Sequence, residues 1–406
     1  MGRKYSYDRK GLRGLTPFPF LGEVKTRLKA IDAAPDTMPQ SVFSANILAS
    51  ELHPAVQYVK VSRVVDHGGA KSFTLVPDTE KGTKNLAYFR AGQYVSVALE
   101  INGALLNKPY TIASSPREAL EGSYTLTVKA TRDGFASAYI LSEWKEGTKV
   151  KISGPLGEFY HQELRDAETV IAVAGGSGIT PFMSMAGAVA DGTENFNLTV
   201  LYGSRTADSI LLGDKLGRIA ASSKGRGKVV NVLSDEEREG YEHGFISSDI
   251  IRKYAPEGEY SLFMCGPGAL YDYERGEVEK LGLRKRFVRM ELSGDRRISE
   301  KDTSFPKDKL DKEYRLTVVI RGEKKEITAL STEPILWAVE KAGIKAPSHC
   351  RSGECGWCHS RLVSGDVFVR ADNDGRRAAD RKFGWIHPCS TYALSDVEIE
   401  IYPPED

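Results

Sequence analysis

Four of the five cysteines in this 406-residue chain follow a spacing that few folds accommodate. Cys350, Cys355 and Cys358 are spaced C-x4-C-x2-C, and Cys389 lies further along the chain. The first residues contain no apolar segment typical of a secretory signal, and no apolar run is long enough to span a membrane. We therefore expect a cytoplasmic protein. Disulfides are rare there, so four thiols at this spacing indicate a metal site.

The spacing favours an iron–sulfur cluster over zinc. Structural zinc sites usually present two short pairs of ligands. A loop with three thiolates at x4 and x2 spacing and a distant fourth thiolate matches plant-type [2Fe–2S] ligation. Such a loop wraps the cluster with backbone N–H groups, which favours small residues such as Ser352, Gly353 and Gly356. A structural zinc loop is the alternative.

Residues 314–406 resemble the plant-type ferredoxin domain, an α+β fold of the β-grasp type, through the segment PSHCRSGECGWC. The resemblance implies that the metal ligands are the four cysteines of the pattern. Trp357 departs from the family, which usually has a small residue at this position. His349 and His359 flank the thiolates, and we expect structural roles for them because four cysteines satisfy two irons.

The remaining chain divides into segments that differ in their pattern of apolar, charged and proline residues, which predicts a multidomain protein. Residues 1–55 form an irregular, proline-punctuated extension with a helical stretch at EVKTRLKAI. Residues 56–162 contain six short alternating runs, which predict a small antiparallel β-barrel. Residues 163–292 contain continuous apolar runs between helical stretches, which predict a doubly wound α/β domain. Residues 293–313 are charged and predict a solvated linker.

Charge is balanced over the whole chain but not at its N-terminal end. The 56 basic and 55 acidic side chains leave a net charge of +1, which argues against a dedicated nucleic-acid binder. Residues 1–30, in contrast, carry a clear excess of Lys and Arg over Asp8 and Glu23. We expect this basic arm either to dock an acidic partner or to cover the barrel as a solvated extension.

A [2Fe–2S] cluster accepts single electrons and cannot take a hydride, so a flavin is needed between it and a nicotinamide. The segment NKPYTIASSP resembles the flavin motif of the ferredoxin–NADP(H) reductase superfamily. The resemblance implies that Tyr110 stacks on the flavin ring, that Thr111 hydrogen-bonds flavin N5, and that Pro109 lies beside them. Lys108 replaces the family's arginine at the flavin phosphates, where it keeps the charge but loses the bidentate fork.

The segment VKATRDGFASAYIL resembles the second half of the flavin signature, in which a helix N-terminus faces phosphate. The implied cofactor-binding residues of this segment are Val128, Lys129, Gly134, Ala136 and Ser137. The order and spacing of the two halves argue against a chance match. Both flavins occur in the superfamily that the segments resemble, and we expect FAD, with FMN as the alternative cofactor.

The segment GGSGITP lies between a buried strand and a helix, where glycines let the backbone approach a pyrophosphate. We expect Thr180 to cap the helix and Pro181 to take its first position. The implied nucleotide-binding residues are Gly175, Gly176, Ser177, Gly178, Ile179, Thr180 and Pro181.

The segment CGPG ends a later buried strand, and the resemblance places Cys265 beside the nicotinamide ring, with Gly266 and Pro267 next to it. Tyr110, Thr111 and Cys265 are therefore the candidate catalytic residues. A buried small apolar residue is the alternative role for Cys265. Ser204 and Arg205 follow a neighbouring strand and favour NADPH by holding a 2′-phosphate, while NADH stays open.

The combined features resemble the reductase components of multicomponent oxygenases and related flavodoxin or ferredoxin reductases. The implied function is an NAD(P)H-dependent oxidoreductase that passes electrons from nicotinamide through flavin and cluster to a partner protein. An oxygenase, a separate ferredoxin, a corrinoid protein or another metalloprotein could be the acceptor. The alternative from another class is a redox-responsive regulatory or scaffold protein that binds the same cofactors without fast turnover.

Overall fold

The structure is a computed structural model that describes residues 21–33, 44–131, 134–291, 296–300, 302–371 and 374–402. The chain forms two units, residues 1–52 and residues 53–406, which are described separately.

The first unit contains helices α1 (Leu21–Asp32) and α2 (Ser44–Leu52), and their described side chains are exposed. Helix α1 contains the predicted helical stretch EVKTRLKAI. The basic residues that precede Leu21 lie outside the described residues, so the expectations for the basic arm stay predictions.

An antiparallel sheet of six strands begins the second unit, as predicted. Its strands are β1 (Val56–Asp66), β2 (Ala70–Pro77), β3 (Tyr94–Ile101), β4 (Ala104–Thr111), β5 (Tyr124–Lys129) and β6 (Lys149–Ser153). They are ordered β4-β3-β6-β1-β2-β5, and a bridge between Ile112 and Leu126 joins the two ends of the sheet. Alternate side chains face inward and bury Phe73, Val95 and Tyr124 almost completely. Helices α3 (Pro116–Leu120) and α4 (Phe135–Glu143) lie in the connections.

A parallel sheet follows, and its helical crossovers confirm the doubly wound α/β prediction. Its strands are β7 (Thr169–Gly175), β8 (Asn197–Ser204), β9 (Gly227–Leu233), β10 (Glu242–His243), β11 (Ser261–Cys265) and β12 (Val288–Glu291), and its helices are α5 (Thr180–Asp191), α6 (Gly213–Ser222), α7 (Ser248–Tyr254) and α8 (Gly268–Leu281). The strand order β10-β9-β8-β7-β11-β12 reverses direction between β7 and β11. Ligands of such sheets bind outside the carboxyl ends of the strands at this point.

The C-terminal domain is a mixed sheet that packs on one helix, as the α+β prediction requires. Its elements are β13 (Glu313–Ile320), β14 (Glu323–Leu330), α9 (Ile335–Lys341), β15 (Ser360–Ser364), β16 (Val367–Val369), α10 (Ala378–Lys382), β17 (Trp385–Ile386), β18 (Thr391–Ala393) and β19 (Val397–Ile401). The main sheet is ordered β14-β13-β19-β15-β17, with β13 and β19 parallel. Its core encloses the side chains of Cys358 and Cys389.

The segment between the second and third domains differs from the predicted solvated linker. Ile298 is 3% exposed and Phe305 is 2% exposed, and both pack with Tyr392 in a separate apolar cluster. The phenol of Tyr392 also donates a hydrogen bond of 2.6 Å to the carbonyl of Arg296. Two isolated apolar residues among many charged ones do not predict burial from the sequence. In the structure, their contacts with Tyr392 pack the segment against the C-terminal domain.

The barrel and the nucleotide domain share an apolar core. Phe159, at the end of the barrel, lies 5.2 Å from Phe263 and 5.9 Å from Phe182 between ring centroids. Arg289 strengthens this junction, since its guanidinium forms a buried ion pair of 2.8 Å with Asp166 and also donates to the carbonyl of Glu158. Among the described residues, no helix has the length and apolar character needed to cross a bilayer.

Glu274 on helix α8 is a buried carboxyl in the nucleotide domain. Its side chain is 2% exposed, and its Oε2 atom has no hydrogen-bond partner. Burial, with a smaller contribution from the charge of Glu277, raises the pKa of Glu274 to about 8. Since an exposed Glu titrates near about 4.3, folding keeps a proton on Glu274 that the unfolded chain releases at neutral pH. The free energy of unfolding therefore falls as the pH rises from about 4.5 to about 8.

We expect Glu274→Gln to raise the free energy of unfolding at pH 7.5 by roughly 1–3 kcal/mol, because the amide fills the same space without losing a proton on unfolding. The gain should shrink at pH 5.5, where the unfolded carboxyl is closer to its own pKa. Thermal unfolding of both proteins at the two pH values measures this. Glu279→Gln, at an exposed position on the same helix, is the control. A gain that is equal at both pH values would contradict the assignment.

Candidate functional site

A cavity of about 1930 Å³ lies where the barrel, the nucleotide domain and the ferredoxin domain meet. Most of the residues singled out in the sequence line it together. They are Lys108, Pro109, Tyr110, Thr111, Lys129, Gly134, Ala136, Ser137, Gly175, Gly176, Ser177, Gly178, Thr180, Cys265, Gly266, Pro267, Cys350 and Cys355. Five segments that are separate in the chain therefore face one space.

The other predicted residues do not line the cavity. Val128, Ile179 and Pro181 are buried in the walls around it. Cys358 and Cys389 lie in the core of the ferredoxin domain. Ser204 and Arg205 lie at and beyond the carboxyl end of β8, away from the cavity lining.

Strand β4 supplies the barrel wall of the cavity. Tyr110 pairs with Val95 and Thr111 pairs with Tyr94 on the adjacent strand β3, which fixes the direction of both side chains. Removal from water raises the pKa of the Tyr110 phenol well above its usual range, and the positive charge of Arg351 opposes that shift. Tyr110 is thus a neutral aromatic surface, as stacking on a flavin ring requires. The ammonium of Lys108 lies 5.9 Å from the ring centroid of Trp337 on α9.

Helix α4 points its N-terminus into the same cavity. A Cβ atom at Gly134 would lie 1.9 Å from the hydroxyl of Thr131 and 2.1 Å from that of Ser137, so a larger residue would require these hydroxyls to move. Ser137 donates back to the carbonyl of Gly134 at 3.0 Å. The exposed N–H groups of a helix start attract anions, which fits the predicted contact with flavin phosphate.

The glycine loop after β7 and the CGPG segment after β11 pack directly on each other. A Cβ atom at Gly178 would lie 2.1 Å from the carbonyl oxygen of Cys265, so this close approach requires glycine. The loop forms a short 3₁₀ turn over Gly176–Ile179 before α5 begins. The prediction that Thr180 caps α5 is wrong by one position: Ile179 is the N-cap, and Thr180 is the first helical residue. The 3₁₀ turn continues directly into the helix and leaves no separate capping residue.

Cys265 lies at the base of the cavity and is 5% exposed. Burial raises the pKa of its thiol, which keeps the sulfur neutral. Glu291 pairs with Cys265 across β11 and β12 and also lines the cavity. Desolvation, together with the charges of Glu354 and Cys350, raises the pKa of Glu291 to about 8. Sequence reasoning missed Glu291 because it ends a short strand without a recognisable motif.

The four cysteine sulfurs of the ferredoxin domain form one contiguous group. The sulfurs of Cys358 and Cys389 lie 3.4 Å apart. The thiol of Cys350 interacts with those of Cys355 and Cys389, and these contacts lower the pKa of Cys350. Four adjoining sulfurs fit the [2Fe–2S] cluster that the C-x4-C-x2-C spacing predicts.

The backbone of the cysteine loop is folded around these sulfurs. The N–H groups of Ser352 and Cys355 donate to the sulfur of Cys350, each at 3.4 Å. Gly353 and Gly356 have φ angles of +80° and +71°, which only glycine adopts without strain. His387, which the sequence did not single out, holds the carbonyl of Gly353 through Nδ1 at 2.6 Å. These donors and turns are what a [2Fe–2S] loop needs.

The aromatic residues near the loop have structural partners. The rings of His349 and Trp357 lie 4.5 Å apart, and Trp357, although 53% exposed, lines the shared cavity. His359 stacks on Trp385 at 4.2 Å and contacts Asp380 at 3.1 Å. Trp357 therefore faces the barrel side of the loop.

Arg205 has an acidic partner that the sequence did not predict. Its Nε atom donates to Asp235, just beyond β9, at 2.8 Å. Hydrogen bonds from Ser234 and Arg205 hold the pKa of the Asp235 carboxyl below its usual range. A negative charge therefore sits beside the guanidinium that was expected to bind a 2′-phosphate.

Comparisons with known proteins agree with this three-part site. Residues 71–161 match the oxidoreductase FAD-binding domain family, residues 172–275 match the oxidoreductase NAD-binding domain family, and residues 318–394 match the 2Fe-2S iron-sulfur cluster binding domain family. The structure of phthalate dioxygenase reductase superposes with a TM-score of 0.61 over 86% of this chain and 98% of that chain, at 23% identity. This likeness shows the shared fold.

Two curated relatives are similar over most of their length. The glycine betaine monooxygenase reductase subunit of Chromohalobacter salexigens is 27% identical over 331 residues, covering 78% of this chain and 88% of that protein. The ferredoxin reductase component of 3-ketosteroid-9-alpha-monooxygenase from Mycobacterium tuberculosis is 29% identical over 325 residues, covering 79% and 86%. The fit of FAD, a [2Fe–2S] cluster and a pyridine nucleotide to this chain is thereby confirmed.

We expect Cys358→Ser to abolish the cluster and leave flavin reduction by the nicotinamide intact, because the cysteine lies in the separate core of the ferredoxin domain. Iron and sulfide content and the visible spectrum measure the cluster. Anaerobic bleaching of the flavin on mixing with NADH measures flavin reduction by the nicotinamide. Ser364→Ala, at an exposed position at the end of β15 in the same domain, is the control. Loss of flavin reduction in Cys358→Ser would contradict the independence of the two halves.

Proposed function

Since the chain belongs to the ferredoxin–NADP(H) reductase superfamily and carries a C-terminal plant-type [2Fe–2S] ferredoxin domain, we propose that it supplies an oxygenase with electrons drawn from NADH. It is an NAD(P)H-dependent oxidoreductase in which electrons pass from nicotinamide through FAD and the cluster to a partner protein. The flavin supplies the conversion of a hydride into single electrons. The choice of NADH, the oxygenase and the residue roles are the parts proposed.

The shared cavity is the observation that carries this proposal. Tyr110 of the barrel, Cys265 of the nucleotide domain and Cys350 of the cysteine loop all line the same space of about 1930 Å³. Electron transfer weakens steeply with distance, so donor, relay and cluster must meet within one enclosed region. A protein that only stored or displayed these cofactors would not need their three sites to converge.

The residues of the cavity position the reactants and exclude water. Tyr110 offers a flat neutral face, and Thr111 offers a hydroxyl at the end of β4 for the flavin atom that gains a proton. The glycine loop and the N-termini of α4 and α5 offer N–H groups to phosphates. Cys265 closes the space behind the nicotinamide with a neutral, buried side chain. Positioning of this kind accounts for most of the catalytic demand of a hydride transfer.

Asp235 favours NADH as the donor. Its ionised carboxylate lies 2.8 Å from Arg205 at the carboxyl end of the strands where the nucleotide's ribose is expected. A 2′-phosphate would meet this negative charge, while ribose hydroxyls could donate to it. NADPH, which Ser204 and Arg205 favour when they are considered alone, is the second candidate.

The names of the similar proteins support an oxygenase as the acceptor, because both are reductase components of monooxygenases. A separate ferredoxin, a corrinoid protein or another metalloprotein would use the same electron path. We place the reaction in the cytoplasm, where NADH is supplied and free thiols stay reduced. The regulatory or scaffold alternative predicts cofactor binding without turnover.

Steady-state reduction of cytochrome c by the holo-protein with NADH tests the function directly. We expect turnover by the wild-type protein and its loss in Cys358→Ser, because single electrons leave through the cluster. Ferricyanide reduction by the same variant, which the flavin can serve alone, is the control. Absence of turnover in the wild-type holo-protein would overturn the reductase proposal.

We expect Asp235→Asn to raise kcat/KM for NADPH relative to NADH by about tenfold, the equivalent of about 1.4 kcal/mol, because it removes one repulsive charge. Initial rates with both nucleotides, using ferricyanide as the acceptor, measure the ratio. Glu237→Gln removes a charge at a neighbouring, more exposed position and is the matched control. Equal changes with both nucleotides would show that Asp235 does not read the 2′ position.

A further inference from the structure

Arg351 directly follows the first cysteine of the cluster loop and is among the largest fully buried side chains of the chain, at 1% exposure. Its guanidinium forms a two-pronged ion pair with Glu340 on α9. Nη1 lies 2.5 Å from Oε1 and Nη2 lies 2.9 Å from Oε2, and the Glu340 side chain is 2% exposed. The charge is thus fully paired inside the ferredoxin domain.

The same guanidinium also reaches the flavin barrel. Nη1 donates to the backbone carbonyl of Asn107 at 3.1 Å, across 244 positions of the chain. Asn107 lies on β4, the strand that carries Tyr110 and Thr111 into the cavity. One side chain therefore connects the residue beside Cys350 with the strand that faces the flavin.

Further contacts join the two domains at this junction. Lys108 lies over the ring of Trp337, and a Cβ atom at Gly343 would lie 2.8 Å from the carbonyl of Gly103. Among the described residues, no hydrophobic cluster contains side chains from both the barrel and the ferredoxin domain. The barrel and the nucleotide domain, in contrast, share an apolar core through Phe159. The ferredoxin domain thus depends more on directional polar contacts for its position.

The chemistry of Arg351 suits positioning better than stability. A buried ion pair often contributes nothing to stability compared with an apolar pair of the same volume. It does restrict the relative positions of its partners, because a guanidinium donates two parallel hydrogen bonds to a carboxylate in only a few arrangements. Arg351 also has a φ angle of +57°, a left-handed conformation that residues other than glycine rarely adopt. We attribute this unusual backbone conformation of Arg351 to the contacts of its side chain with Glu340 and Asn107.

We propose that Arg351 is the positioning residue that sets the distance between the cluster and the flavin, by clamping the cysteine loop to strand β4. The inference rests on the proposed electron path, because it names the residue that sets the spacing between two of its redox centres, the flavin and the cluster. Without the clamp, the ferredoxin domain keeps its fold and its cluster but is free to shift against the barrel.

The double variant Arg351→Met/Glu340→Leu tests the proposal, because it removes the clamp without leaving a buried charge unpaired. We expect an unchanged cluster content, an unchanged EPR spectrum of the reduced cluster and unchanged flavin bleaching by NADH. Transfer from flavin to cluster, followed by stopped-flow absorbance, should slow by about tenfold or more, since displacements near 1 Å have large effects on reactions that depend on geometry. Hydrogen–deuterium exchange of residues 104–111 should become faster, which is a readout independent of turnover.

The matched control is Lys324→Met/Glu398→Leu, which removes an ion pair of 2.8 Å in the same domain without touching the barrel. It should change neither measurement. Arg351→Lys keeps the charge but loses the two parallel hydrogen bonds of the guanidinium. If the double variant loses its cluster, the transfer rate and the hydrogen–deuterium exchange of Arg351→Lys test the proposal instead.

Unchanged transfer rate and exchange in a cluster-containing Arg351 variant would overturn the inference. That outcome differs from a failure of the proposed function, in which the wild-type protein itself would not reduce cytochrome c.

Discussion

The buried fork between Arg351, Glu340 and the carbonyl of Asn107 is the interaction on which the arrangement of the redox site depends. The barrel and the nucleotide domain are joined by a common apolar core and by the buried pair of Arg289 with Asp166. Apolar burial stabilises such a junction but is not directional. The ferredoxin domain instead meets the barrel through polar contacts. Directional hydrogen bonds can therefore fix the cluster beside the flavin site without a large hydrophobic interface.

The close backbone contacts around the cavity follow the same logic. Gly178 lies against the backbone carbonyl of Cys265 at a distance that excludes a side chain, whereas Gly134 lies against the hydroxyls of Thr131 and Ser137. Gly178 is present because two backbone segments must approach each other. Each contact leaves N–H groups of a helix start turned toward the cavity. The walls are therefore rich in donors for phosphate, and charged side chains such as Lys108, Lys129 and Glu291 line them as well.

Local chemistry explains why so much of the site could be predicted. The spacing of the four cysteines, the segment NKPYT, the glycine loop and CGPG each perform a task within a few residues of chain. Their residues reach one cavity because the carboxyl ends of parallel strands and the end of β4 converge. Partners from distant segments could not be predicted, since no local pattern announces them. Asp235 beside Arg205, Glu291 opposite Cys265 and the carbonyl of Asn107 beside Arg351 are examples. The burial of Ile298 and Phe305 was missed for the same reason.

The sequence by itself determined the class of each domain and the cluster ligands to be expected, because these follow from periodicity, spacing and turn chemistry along the chain. The order of the electron path followed from the resemblance of its motifs to a known reductase family. Only the tertiary structure decided which contact joins the cysteine loop to the barrel and which charge lies beside Arg205. Both depend on side chains that meet across long separations, as Arg351 meets Asn107 and Arg205 meets Asp235. A guanidinium looks the same in the sequence whether it is free to bind phosphate or already held by a carboxylate, and its surroundings in the fold make the difference.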